Sequence, residues 1–402
     1  MTRLSVTVPA YQVAEYLPRC LDSLLSQTVR DIEIIVVNDG STDSTGEICD
    51  GFARRDKRIR VIHQINLGLV AARKSAVSIS TGRYIACVDG DDYVDPDYCE
   101  SLLEAVETHG ADVAIGGYVR DYGNARQRII PMLAAGVYEL GPSSSVLREF
   151  ISSEPFFTHG VTTYLWGKIF RRDLYLKAQE AVPNEFSLGE DAACVYPLLA
   201  QSRRLVVTES ASYHYVQRQS SMLKAKPSMP LAEISRMKKL VAFLRSQLKG
   251  RLSEADIDRQ LKGYELSLLA TRIGGVLEGE GGDVSIFGRK VMPGSRVAIY
   301  SAGTFGQIMH RRLRDVPEVN IVLWVDQDWQ KYRTDGLDVS SETKLGEGNF
   351  DIVAIASLSA EAINEARKRI DQLGVTDDRV VFFDQPEAFR RQIDSSFFQA
   401  PC

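Results

Sequence analysis

Four short β-branched or apolar runs, alternating with helix-patterned segments across the first ninety residues, restrict this chain more than any other feature. They are LSVTVPA (Leu4–Ala10), IEIIVVN (Ile32–Asn38), RVIH (Arg60–His63) and RYIACV (Arg83–Val88). Between them, Tyr16–Gln27 sets Leu17, Cys20, Leu21, Leu24 and Leu25 on one helical face, and Ser44–Arg54 and Gly68–Ser78 also read as helices. Strands without polar alternation are buried on both faces, and strand–helix repetition joins them in parallel. The expectation is an α/β fold with a parallel sheet covered on both sides. Ligands on such sheets sit beyond the carboxyl ends of the strands. The polar clusters NDGSTD and DGDD fall at those ends.

The pattern changes after Asp112. VAIGGYV reads as one strand, and mixed segments run on to about Val216. Residues from about Pro230 to Gly279 have a helical pattern, and the breaker cluster EGEGGD (Glu278–Asp283) predicts a boundary. From Ser295 a second strand–helix series begins, with strands in RVAIYS, NIVLWVD, FDIVAIAS and RVVFFD and a helix over Ala360–Leu373. The expected organisation is an N-terminal α/β domain (1–222), a helical linker (223–283) and a small Rossmann-like domain (284–402). A chain of 402 residues is long enough for two or three domains.

A net charge of −5 argues against a dedicated nucleic-acid binder. The six cysteines form no CxxC pair and lie beside no histidines at zinc spacing, which suits a reducing compartment. The start, MTRLSVTVPAY, lacks a signal peptide's apolar stretch, and no apolar run reaches the ~20 residues that span a bilayer. The expectation is a cytoplasmic protein that meets any membrane-borne acceptor from the inner face. Peripheral membrane association and homo-oligomer formation are left open.

The chemistry gathers at Asp39, in NDGSTD, and at Asp89, Gly90, Asp91 and Asp92. Clustered carboxylates repel one another unless a cation or donor shares their site. Mg²⁺ or Mn²⁺ suits one or two carboxylates plus phosphate oxygens. The same letters also describe a solvated acidic turn.

The order of the blocks goes further. VTVPAYQVAEYLPRCLDSLLSQT, IEIIVVNDGSTDST, INLGLVAARKSA and GRYIACVDGDDYVDP together resemble the nucleotide-binding half of family 2 glycosyltransferases, with their A-type transferase (GT-A) fold. The likeness covers about Leu4–Glu104 strongly and weakens toward Met222. It implies that Pro9, Ala10 and Tyr11 line the base pocket and that Asp39 bonds a base, uracil in the first instance. It implies that Arg73 approaches base or pyrophosphate, that Asp89 meets the ribose beside Gly90, and that Asp91 ligates Mn²⁺ or Mg²⁺. Glu190 and Asp191, in LGEDAACVYPLL, resemble the family's acidic pair, with Asp191 the general base of an inverting displacement and Glu190 on the acceptor side. In YHYVQRQSSM the likeness offers His214 as a further metal ligand and Arg218, Ser220 and Ser221 as phosphate contacts. Trp166 and Lys168, in TTYLWGKIFRRDL, become acceptor contacts. One departure is Ala76, where the family often has glycine, with an altered local turn as the expected result.

The implied activity is transfer of a sugar from a nucleotide-diphosphate donor to a glycan, polyol-phosphate or lipid-linked acceptor, in cell-surface polysaccharide or teichoic-acid-like synthesis. A non-enzymatic sugar-nucleotide-binding assembly subunit and a nucleotidyltransferase are the competing readings. The second needs a basic phosphate grip that VPAYQVAEY lacks. In the C-terminal series, SAGTFG offers Gly303 and Gly306 at a strand–helix turn, but Ser301 stands where a dinucleotide fingerprint needs glycine. Asp326 closes the next strand, and no NAD site is assigned.

Overall fold

The computed structural model describes residues 2–122, 126–141, 143–152, 160–217, 230–278, 283–334, 336–384, 386–387 and 389–391. Its first elements are β1 (Leu4–Ala10), α1 (Leu17–Leu25), β2 (Ile32–Asp39), α2 (Thr45–Arg55), β3 (Ile59–Gln64), α3 (Leu69–Ser78) and β4 (Tyr84–Cys87). Strands β3, β2, β1 and β4 lie side by side and parallel, as the apolar runs predict. Helix α1 opens with proline in its first turn, where the missing N–H costs nothing. It buries Leu17, Cys20, Leu21 and Leu24, each apolar side chain contributing roughly 1.5–3 kcal/mol. Helix α3 covers the other face with small residues. Ala72 and Ala76 pack on Ile35 and Val37 of β2. Ala76 therefore lies inside a helix, in a packed contact, and not in the turn expected to be altered there.

The chain continues through β5 (Tyr93–Val94), α4 (Tyr98–His109), β6 (Val113–Ile115), β7 (Tyr118–Asp121), β8 (Arg126–Ile129), β9 (Gly136–Glu139) and α5 (Ser145–Glu149). Then come β10 (Lys168–Arg171), α6 (Arg172–Ala181), α7 (Glu190–Gln201), β11 (Arg204–Val207) and β12 (Tyr213–Val216). The main sheet has the order β3-β2-β1-β4-β10-β6-β11-β9. Strand β10 runs antiparallel to both neighbours, so the parallel run of the first four strands is interrupted there; β6 and β11 pair parallel again, and β9 closes the sheet antiparallel to β11. The expected single strand VAIGGYV is two strands in two sheets, because β7 joins a smaller sheet, β5-β12-β7-β8. The break falls at Gly116–Gly117. A Cβ on Gly117 would stand 2.4 Å from the Ile129 carbonyl oxygen, so the crossing backbone leaves no room for a side chain.

Helices α8 (Pro230–Leu248) and α9 (Glu254–Arg272) follow. The chain divides into two compact units, one of Met1–Ile151, His159–Leu223 and Lys238–Leu261, the other of Ser152–Thr158, Lys224–Met237 and Lys262–Cys402. The segment expected as a linker, 223–283, is thus shared between both. Helix α9 also ends earlier than its pattern suggests. Gly274 and Gly275 turn the chain at φ +63° and +71°, and β13 (Val276–Glu278) pairs with β14 (Val284–Ile286), which pairs with β15 (Arg289–Val291). The EGEGGD cluster falls in sequence between these two paired strands, and its residues 279–282 lie outside the described residues.

The second unit holds β16 (Ser295–Tyr300), α10 (Thr304–Arg314), β17 (Val319–Asp326), α11 (Trp329–Thr334), β18 (Ser340–Ser341), β19 (Ile352–Ile355), α12 (Ala360–Gln372) and β20 (Val380–Val381). The order β18-β17-β16-β19-β20, parallel throughout, is a Rossmann-like half. Ser301 adopts φ +88°, and a Cβ on Gly306 would lie 2.1 Å from its carbonyl oxygen. Asp326 is spent on this turn: it accepts from the amides of Ala302 at 2.7 Å and Asp328 at 2.8 Å.

Candidate active site

Strand β4 delivers the chain into an acidic turn. One ligand oxygen each from Asp89, Asp91 and Asp92 lies within 4.8 Å of the others. The turn closes on itself, with the Asp92 amide donating to the Asp89 carbonyl at 3.0 Å. Asp92 is buried and fixed from β12: it accepts from the Tyr213 hydroxyl at 2.6 Å and the Val216 amide at 2.8 Å. Burial pushes its pKa up, and the nearby Asp91 and Asp89 add to the shift. Burial likewise pushes Asp89 up to about 7, against the pull of Arg73. Among the described residues Asp89 Oδ1 is buried without a hydrogen bond, with the Arg73 guanidinium beyond hydrogen-bond reach at 3.6 Å. An orphaned buried carboxylate oxygen next to two more acids is costly alone and well suited to a hard divalent cation. Asp89 and Asp91 fit Mg²⁺ or Mn²⁺, with Asp92 held back by its own donors. Gly90 keeps the turn close to β1, since a Cβ there would lie 3.0 Å from the Pro9 carbonyl oxygen.

Asp191 reaches the same place from α7. Gly189 at φ +68° precedes the helix, where a Cβ would meet Leu240 Cδ2 at 2.3 Å. Glu190 and Asp191 then occupy the first turn, where carboxylates complement the helix dipole. Arg73 of α3 donates through one terminal nitrogen to Asp191 Oδ1 at 2.5 Å, and its other terminal nitrogen stands 3.6 Å from Asp89 Oδ1. Arg73 is only 2% exposed. Expected at a base or pyrophosphate, it is turned inward, between two carboxylates.

The side expected to meet the donor is formed by the ends of β1 and β2. Pro9 is half-buried, Ala10 buried, and Tyr11 49% exposed. Gln12 holds φ +54°, a left-handed conformation that side-chain residues rarely adopt. Its side chain clips the two loops together, donating to Thr42 Oγ1 at 2.7 Å and accepting from the Asp43 amide at 3.2 Å. Asp39 is buried and already accepts three bonds, from Gln64 Nε2 at 2.7 Å and the amides of Leu67 and Gly68 at 2.9 Å each. It fixes the chain entering α3.

Three expected contacts are placed elsewhere. His214 stands outside the acid trio. Its Nε2 is 2.9 Å from Asp95 and its ring stacks on Tyr93 at 4.2 Å. Trp166 is 4% exposed, sandwiched between Tyr164 at 4.3 Å and Tyr213 at 4.6 Å. Lys168 is buried, donating to Thr162 Oγ1 at 2.9 Å and the Tyr164 carbonyl at 2.6 Å. These two side chains serve the interior and present no face to an acceptor. Arg218, Ser220 and Ser221 lie outside the described residues. Sequence reasoning missed Tyr213, which organises the acidic turn. Its one signal is alternation in YHYV, which sets Tyr213 and Tyr215 on the face opposite His214.

The chain is 33% identical over 228 residues to the uncharacterized glycosyltransferase EpsJ of Bacillus subtilis (strain 168), covering 56% of this chain and 65% of that protein. It is 47% identical over 116 residues to the glycosyltransferase GlyG of Streptococcus pneumoniae, covering 29% of this chain and 38% of that one. The chain thus spans less than two thirds of each. Among solved structures, residues 1–349 of S. aureus TarS in complex with UDP-GlcNAc share the fold, with a TM-score of 0.52 at 23% identity over 65% of this chain and 71% of that one. Residues 5–174 match the family described as glycosyl transferase family 2, and the fold of this part of the chain is of the GT-A type.

Proposed function

We propose that the protein is an inverting glycosyltransferase that moves a sugar from a nucleotide-diphosphate donor to an acceptor hydroxyl in the synthesis of a cell-surface glycan. One observation carries this reading: a single guanidinium, that of Arg73, faces Asp191 at 2.5 Å and Asp89 at 3.6 Å. An acceptor-side carboxylate thereby stands next to the donor-side acids. Tyr11 stacks on the base, Pro9 and Ala10 border it, and Asp39 holds the loop beside it. Asp191 takes the proton of the attacking hydroxyl, a poor nucleophile until that proton begins to leave. Mg²⁺ or Mn²⁺ held by Asp89 and Asp91 supplies, when bound, positive charge against the departing diphosphate. The acceptor is a glycan, polyol phosphate or lipid-linked sugar. No described helix is long and apolar enough to cross a membrane.

A UDP-sugar is the donor to test first, since TarS was solved with UDP-GlcNAc. A panel of UDP-sugars, scored by thermal shift with Mn²⁺, singles out the donor because ligand binding raises stability by RT ln(1 + [L]/Kd). UDP release then separates an enzyme from a binding subunit. Asp191→Asn should abolish transfer and keep donor affinity. Transfer surviving at near wild-type rate would overturn the reading.

A further inference from the structure

Resting on the glycosyltransferase reading above, we infer that Arg73 is a positioning residue that acts through Asp191 and does not bind the donor's phosphates. The side chain is almost wholly closed to solvent at 2% exposure. One terminal nitrogen is committed to Asp191 and the other faces Asp89. Among the described residues its Nε is buried with no hydrogen-bond partner, so the group is held by its two carboxylates and by the packing of α3. A phosphate would have to displace a carboxylate from a pocket it cannot enter from water. Two acids already compensate the charge.

The position of α3 gives the contact a purpose. The turn leading into α3 is fixed by Asp39, which accepts from Leu67 and Gly68, and Ser75 of α3 donates to Gln64 Oε1 at 2.7 Å. The helix that carries Arg73 is therefore registered on the end of β2, where the donor pocket lies. Asp191 stands at the start of a different helix. Arg73 is the side chain through which the frame of the donor pocket sets the base's carboxylate. A planar guanidinium can face two carboxylates at once, and an ammonium is a single point charge. Arg73→Lys keeps the charge and loses the second arm.

The experiment measures steady-state transfer and, separately, donor Kd by calorimetry with Mn²⁺, for wild type, Arg73→Lys and Arg73→Ala. The expected result is a kcat at least tenfold lower in Arg73→Lys, with donor Kd within about twofold of wild type. Added guanidinium at low, non-denaturing concentration should restore kcat of Arg73→Ala in a saturable way, which repair of a fold defect would not do. If Arg73→Ala fails to fold, the Arg73→Lys split between kcat and Kd decides alone. A Kd weakened tenfold with kcat kept would make Arg73 a phosphate ligand and overturn the inference. Unchanged kcat and Kd in Arg73→Lys would overturn it as well. A wild-type protein that releases no UDP from any donor would remove the glycosyltransferase reading and this inference with it. An active wild type with an indifferent Arg73→Lys removes only the inference.

Discussion

The hydroxyl of Tyr213 donates to Asp92 at 2.6 Å, and its oxygen accepts from the Asp89 amide at 3.3 Å. A single phenol on β12 thus holds both ends of the acidic turn, from within the aromatic stack it shares with Trp166. Tyr213→Phe keeps the stack and removes the hydroxyl. The Asp92 carboxylate then loses one of two donors in a buried place, at a cost of about 1–3 kcal/mol. The melting temperature should fall, and the affinity for Mn²⁺ should weaken because Asp89 and Asp91 lose their anchor. Calorimetric titration of Mn²⁺ checks this. Unchanged affinity would mean that the turn holds its shape without the tyrosine.

Asp39 offers a second test, because the family resemblance gives it to the base and the structure gives it three internal donors. Asp39→Asn puts an amide N–H either against the Gly68 amide, at the Oδ2 position, or against both the Leu67 amide and Gln64 Nε2, at the Oδ1 position. The protein should lose roughly 1–3 kcal/mol of stability without any nucleotide present. A thermal melt of the ligand-free protein decides it. If stability is untouched and only donor binding falls, Asp39 serves the base and not the loop.

How much of this was legible in sequence depends on what each residue answers to. Strands β1 to β4 were readable because an apolar run buried on both faces leaves a one-dimensional trace. Asp89, Asp91 and Asp191 could be named because their blocks follow one another in a recognisable order. The ion pair of Arg73 with Asp191 could not, because it depends on α3 and α7 meeting across the fold. The reversal at β10 was hidden for the same reason: the segment KIFR (Lys168–Arg171) carries no mark of its direction. His214 and Trp166 were misplaced because a histidine or tryptophan near a motif reads as functional until its stacking partners are seen. The EGEGGD cluster gave no sign that the short strands on either side of it pair, because glycine clusters stand between paired strands as well as between domains.

The acidic turn should show a division between stability and cation binding. Asp89→Asn keeps the shape of a buried group whose Oδ1 lacks a hydrogen bond among the described residues, and removes its charge. The metal-free melting temperature should change little, because the desolvation cost relieved on removing the buried charge offsets the attraction to Arg73 that is lost. The rise in melting temperature on adding Mn²⁺ should weaken at least tenfold in apparent affinity. Differential scanning fluorimetry across a Mn²⁺ series reads both. A full Mn²⁺ response in Asp89→Asn together with Asp91→Ala would remove these carboxylates from the metal site.

Lys168 supplies a test of pH dependence remote from the acidic turn. Burial pulls its pKa from 10.5 down to about 7, with Asp191 opposing. A neutral amine still has the hydrogens to serve Thr162 and the Tyr164 carbonyl, so the fold tolerates the loss of charge. Between about pH 7 and 10.5 the unfolded chain holds a proton that the folded chain lacks, so stability from this group rises with pH across that window. Below pH 7 both states are protonated and the folded state carries the full cost of a buried charge. Lys168→Met removes the titrating group. The difference in unfolding free energy, wild type minus variant, should therefore climb with pH by as much as about 1.4 kcal/mol per unit. Urea unfolding at several pH values above neutrality measures that difference directly, and other titrating groups cancel in it. Parallel stability curves for the two proteins would show that the Lys168 ammonium stays charged in the folded state, compensated by Asp191 across the interior.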